Sequence, residues 1–142
     1  MSFWDTSALV PLCRNEDRSP LARKLWFKFS DHKVWRESVV EVASTLARLE
    51  REGNLTETSR TKAETRLTQI EKDWSIIEPT DRQIELARTF PSIFGLKALD
   101  SLQLAAALVW CKEFPKNKNF VAADVKLLKA AEAAGFTVHD LS

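Results

Sequence analysis

Four acidic residues stand where extended apolar stretches give way to helical patterns, and this recurrence constrains the chain more than any other feature. Asp5 follows Phe3-Trp4 and opens Thr6-Ser7-Ala8-Leu9-Val10, and Glu41 lies within Ser38-Val39-Val40-Glu41-Val42-Ala43. Asp100 precedes Ser101-Leu102-Gln103-Leu104-Ala105-Ala106-Ala107, and Asp124 closes Phe120-Val121-Ala122-Ala123. In an open parallel sheet the carboxyl ends of all strands lie along one edge, so residues at successive strand-to-helix junctions converge although they are distant in sequence. Asp5, Glu41, Asp100 and Asp124 are therefore expected to share one acidic pocket.

The pattern between these points alternates strand and helix. Met1 to Trp4 reads as a short strand, with Asp5 capping a helix from Ser7 to Cys13. Pro20 opens a second helix whose face carries Leu21, Leu25, Trp26 and Phe29. Val34-Trp35 is a brief strand. Ser38 to Glu52 reads as a helix with a Ser38-x-x-Glu41 capping box and Gly53 as its stop. Thr56 to Asp73 is its more polar partner in a helical hairpin. Trp74 to Glu78 is a strand ended by Pro79, Asp81 to Phe90 a helix, and Pro91 to Lys97 a loop. Asp100 to Lys112 is apolar nearly all round, as suits a central helix. Phe120 to Ala123 is a strand, Asp124 to Ala134 a helix stopped by Gly135, and Phe136 to His139 a last strand. Strands separated by helices of this length predict an α/β fold with a central parallel sheet flanked by helices.

A chain of 142 residues fits one domain spanning residues 1–142 and is long enough to bury a core. Its net charge of +1 gives no whole-molecule field toward nucleic acid, so any such binding must rest on a local patch. Cys13 and Cys111 form no CxxC pair, and with His32 and His139 they provide no zinc ligand set. Both cysteines read as reduced core residues of a cytoplasmic protein. No apolar run approaches the roughly 20 residues of a membrane span, and the opening lacks a signal sequence.

Each acid has a plain structural reading. Asp5 and Asp124 suit helix N-caps, Asp100 suits a first turn, and Glu41 suits the third position of a capping box. Gathered at one sheet edge, however, four carboxylates repel unless they are protonated, solvated or neutralised by a cation. An all-oxygen set without His or Cys suits Mg²⁺ or Mn²⁺, and such ions support hydrolysis of phosphodiesters.

The ordered set of segments around Asp5, Glu41, Asp100 and Asp124, with Leu127-Leu128-Lys129-Ala130-Ala131 and Ala134-Gly135 after the last, resembles the PIN-domain ribonucleases of the VapC toxin type. The resemblance covers nearly the whole chain. It implies a flavodoxin-like sheet order, a Mg²⁺ or Mn²⁺ site, endonuclease action on single-stranded RNA, a homodimer and a small cognate antitoxin. By analogy Asp5, Asp100 and Asp124 are metal ligands, with Glu41 completing the catalytic pocket directly or through water, and Thr6 steadying the loop around Asp5. Two positions depart from the family pattern. Ala122 replaces the Thr or Ser usual two residues before the last acid, and Pro11 replaces the polar residue that usually follows the first motif.

Arg48, Arg51, Arg60, Lys62 and Arg66 are interspersed with Glu50, Glu52 and Glu64 and read first as a solvated helix face. Lys97, just before Asp100, is better placed to offset the acids toward a phosphate. Trp26, Trp35, Trp74 and Trp110 read as core, with one or two available to an interface. His32 and His139 are assigned no catalytic part. The leading expectation is a metal-dependent endoribonuclease, the toxin of a type II pair. The alternative is a PIN-like RNA- or protein-binding module that keeps the acids as caps. A phosphoacceptor receiver ranks last, because the third strand ends in Glu78-Pro79 with no acid pair beside it.

Overall fold

Phe3 and Trp4, Val34 and Trp35, and Phe120 and Val121 are adjacent pairs whose members enter different cores, as the period of two in a strand requires. The computed structural model describes residues 1–142. Its strands are β1 Ser2–Trp4, β2 His32–Trp35, β3 Ser75–Ile77, β4 Asn119–Ala122 and β5 Thr137–Asp140. They pair in parallel in the order β3-β2-β1-β4-β5. Phe3 lies beside Phe120 in register, and their rings stack at 5.2 Å.

Eight α-helices cover the sheet: α1 Thr6–Cys13, α2 Ser19–Lys28, α3 Ser38–Arg51, α4 Glu57–Ile70, α5 Asp81–Ala87, α6 Phe90–Phe94, α7 Ala98–Trp110 and α8 Val125–Ala134. Helices α1 to α4 pack on Trp4, Val34 and Val121, and α5 to α8 on Phe3, Trp35 and Phe120. Each sheet face thus has its own apolar core. Truncating a fully buried ring such as Phe3 to alanine costs about 3–5 kcal/mol in such a setting. Leu104 through Ala107 are fully buried, which accounts for the apolar character of α7 on almost every side.

The parallel sheet flanked by helices is the expected architecture, but its order is 3-2-1-4-5 and not the 2-1-3-4-5 of flavodoxin. The chain winds outward through β2 to β3, then returns past β1 to lay down β4 and β5. The reversal therefore falls between β1 and β4. In open α/β sheets this is where a crevice forms outside the carboxyl ends of the strands.

Local corrections have identifiable causes. The segment expected as a loop from Pro91 holds α6, because Pro91 falls in its first turn and Gly95 closes it at φ 66°. The helix expected to reach Phe90 accordingly ends at Ala87, and α7 begins at Ala98, two residues before Asp100. Pro11 lies inside α1 without ending it before Cys13. Gly135 closes α8 at φ 113°, and an added Cβ there would meet Pro115 Cγ at 2.9 Å. No helix is long and apolar enough to cross a membrane.

Candidate active site

The junctions after β1 and β4 place Asp5 and Asp124 on either side of the reversal. Asp5 is anchored there because its backbone N–H donates to Val121 O at 3.0 Å, extending the β1–β4 ladder by one bond. α3 contributes Glu41 from its first turn, and α7 contributes Asp100 from its own. All four carboxylates line one cleft, together with Thr6, Ser7, Arg14, Arg18 and Arg48.

Asp5 is buried, and both the N–H and the hydroxyl of Ser7 donate to its Oδ2, at 3.0 and 2.5 Å. The Ser7 hydroxyl oxygen also accepts from Ala123 N–H at 2.8 Å. A single serine thus joins the loop after β1 to the loop after β4. Burial raises the Asp5 carboxyl to about 7; the two bonds from Ser7 oppose that rise, while the charges of Asp100 and Glu41 add to it. Asp100 is raised as well, first by burial and then by Asp124 and Glu41, against the pull of Lys97 and Lys126. These mutual shifts place the acids within electrostatic reach of one another.

Asp5 and Asp124 do serve as caps, the latter accepting from Leu127 N–H at 3.0 Å. The Ser38–Glu41 capping box does not form, since α3 begins after Glu37 with no side-chain cap. Ser38 Oγ instead accepts from Gln103 Nε2 at 2.8 Å. Glu41 Oε2 accepts from Thr6 Oγ1 at 2.5 Å and from Gln103 Nε2 at 3.2 Å, and Glu41 Oε1 is buried without a partner. Asp100 caps nothing, because Lys97 holds the cap position of α7 and makes no side-chain bond there.

A buried carboxylate oxygen without a donor is the kind of group a cation satisfies. The donor set is all oxygen, which fits Mg²⁺ or Mn²⁺. The acids line the cleft without closing into a cage, and no three His, Cys, Asp or Glu side chains are drawn together into a ready ligand group.

Several residues of the site carried no sequence signal of their own. Gln103 sits among the apolar residues of α7, and its partners Ser38 and Thr6 are 65 and 97 positions away. Lys126 acts on Asp100 from α8, beside the expected Lys97. Ser7 was visible only as part of the first motif. Ala122, by contrast, is fully buried in the core, and the hydroxyl bridging these two loops is that of Ser7. His32 is packed in a stack on Trp26, away from the cleft.

The pattern that defines the PIN domain matches residues 3–109, a span holding Asp5, Glu41 and Asp100 and ending before Asp124. No curated protein matches the chain in sequence. Among solved structures, a toxin-antitoxin complex from Klebsiella pneumoniae aligns with a TM-score of 0.67 at 15% identity, covering 100% of this chain and 98% of its own. A protein from Pyrobaculum aerophilum aligns at 0.66 and 18% identity, covering 99% and 88%. FitAcB from Neisseria gonorrhoeae aligns at 0.65 and 15% identity, covering 99% and 98%. At these identities the likeness is one of fold.

Proposed function

The chain belongs to the PIN domain family, and from that membership we propose a Mg²⁺- or Mn²⁺-dependent endoribonuclease acting as the toxin of a toxin–antitoxin pair. One observation carries the reading. Asp5, Glu41, Asp100 and Asp124 line a single cleft at the sheet reversal, with Asp5 and Asp100 held above the usual carboxylate range and Glu41 Oε1 lacking a donor. Asp5, Asp100 and Asp124 would hold the ion, with Glu41 direct or through water. A bound ion supplies charge neutralisation and polarisation of a phosphodiester toward attack by water.

The remaining residues orient this set. Ser7 fixes the Asp5 carboxylate, Thr6 and Gln103 fix Glu41, and Lys97 and Lys126 soften the negative field around Asp100. That softening helps a phosphate approach a cleft that would otherwise repel it.

The proposed partners are an RNA substrate, a small antitoxin and a second copy of the chain, in the cytoplasm. The toxin–antitoxin complex among the structures of like fold supports the antitoxin. So does the surface beside the acids, where exposed Val40 and Leu99 line a second cavity with Thr6 and Glu41. The reading as a binding module without turnover draws on the caps that Asp5 and Asp124 make. Incubating single-stranded RNA with the protein, with Mg²⁺ or with chelator, separates the two. Cleavage that needs the ion and is lost in Asp100→Asn supports the nuclease, and intact RNA under both conditions leaves the binding module.

A further inference from the structure

Between the C-terminal end of α1, Arg23 of α2 and the neighbouring side of α4 lies a further cleft of roughly 500 Å³, within the usual range of about 300–1,000 Å³ for ligand sites. In a chain with 21 basic and 20 acidic residues, its lining holds Arg14, Arg23, Lys62 and Arg66 and no acid. Such segregation is not what a mixed, solvated helix face provides. Arg60, between the lining residues Ser59 and Thr61, shows the contrast: it is paired with both Glu50 and Glu64 and takes no part in the lining.

The cations of the cleft are held but not neutralised. Arg66 Nε donates to Leu12 O at 2.7 Å, and Arg23 donates to Asn15 Oδ1. Lys62, Arg23 and Arg66 make no ion pair, and Arg14 has only a loose one with Glu16 at 3.8 Å. The Nε atoms of Arg14 and Arg23 are buried without hydrogen-bond partners. Four cations around one cleft whose lining carries no acid suit an anion, and Ser59 and Asn15 add neutral hydrogen-bonding groups on the same wall.

Arg14 belongs to this lining and to that of the acidic cleft. The two clefts therefore adjoin at Arg14, close enough for one anionic chain to occupy both. We propose that the cleft of Arg14, Arg23, Lys62 and Arg66 binds the phosphate backbone of single-stranded RNA flanking the cleavage point. This rests on the ribonuclease reading for the identity of the polyanion. The four acids repel a phosphate at the cleavage point, and the neighbouring cleft supplies the attraction that offsets them. Because backbone phosphates carry no base identity, the cleft sets affinity and direction and leaves sequence choice elsewhere.

The test is fluorescence anisotropy of a labelled single-stranded oligoribonucleotide across a salt series, in chelator so that no turnover occurs, with cleavage assayed separately in Mg²⁺. Arg23→Gln combined with Lys62→Gln is expected to weaken binding about tenfold. It should also lower the slope of log affinity against log salt by about 0.7 for each phosphate that the variant no longer neutralises. Lys62→Glu, at an exposed position, should reproduce the direction with an unchanged Tm. An unchanged slope overturns the proposal, even if affinity falls, and so does a wild type that binds no RNA. Normal RNA binding with abolished binding of an acidic partner peptide overturns it in favour of a protein ligand. A slope that drops in a protein that never cleaves leaves the cleft standing and removes the nuclease. Cleavage by the wild type with no slope change does the reverse.

Discussion

Gln103 Nε2 on α7 stands 3.2 Å from Glu41 Oε2 on α3, and the same nitrogen lies 2.8 Å from Ser38 Oγ and 3.0 Å from Thr6 Oγ1. Two N–H groups thus serve three acceptors, and one carboxylate oxygen of Glu41 is held while the other is buried without a partner. Gln103 is a positioning residue, since it reaches the acids' surroundings but lines no part of the cleft itself.

Replacing Gln103 with Leu keeps the bulk and removes the donor. A buried acceptor left unmatched costs about 1–3 kcal/mol, so Tm should fall moderately. If the residue orients Glu41 toward a metal, the Mg²⁺ concentration needed to raise Tm should also increase, by about 10- to 100-fold. A lower Tm with an unchanged Mg²⁺ midpoint reduces Gln103 to a structural part.

These relationships show why the sequence was legible in one respect and opaque in another. Strands, most helices and the four acids announce themselves by local pattern, because an apolar run followed by a cap is written in consecutive residues. Gln103 does not, because its partners come from α1 and α3, and within α7 it looks like one polar interruption of a buried face. The capping box failed for the same reason. Ser38 and Glu41 have the spacing for it, but each found a stronger partner from another helix. Strand order was likewise invisible: nothing local distinguishes a chain that lays β4 beside β1 from one that lays it beside β3.

Burial of Asp5 sets the direction of a pH dependence in the metal-free protein. Its carboxyl is raised from 3.8 to about 7, so between those values the folded state binds more protons than the unfolded one. Stability then declines as pH rises through that window, by on the order of 4 kcal/mol if Asp5 alone is counted. Asp5→Asn should flatten this decline in thermal melts run in chelator from acid to neutral pH. Burial lowers the His32 and His139 imidazoles, which pushes Tm the other way in both proteins, so parallel melting curves for wild type and Asp5→Asn across this interval contradict the burial of an ionisable Asp5.

Ser7→Ala removes the hydroxyl that donates to Asp5 and accepts from Ala123 N–H. The bond from Ser7 is one of the influences holding the Asp5 carboxyl down, so its loss should carry that carboxyl still higher. The variant should lose about 1–3 kcal/mol, and its cleavage activity should shift to more alkaline pH. An unmoved pH profile with reduced stability confines Ser7 to linking the two loops.

Asp124 combines two roles that one pair of substitutions separates. It caps α8 through Leu127 N–H and raises Asp100 through its charge. Asn ranks with Asp as an N-cap, so Asp124→Asn should keep the helix start while removing a charge from the cleft. The metal-free Tm should hold or rise as repulsion on Asp100 is relieved, and RNA cleavage should fall by roughly a hundredfold or more if a ligand to the ion is lost. Asp124→Ala loses the cap too and should cost about 1 kcal/mol beyond the Asn variant. Measuring Tm and cleavage for both assigns the residue. Equal cleavage by wild type and Asp124→Asn, with a stability loss only in Asp124→Ala, makes Asp124 a cap alone and leaves the ion to Asp5, Glu41 and Asp100.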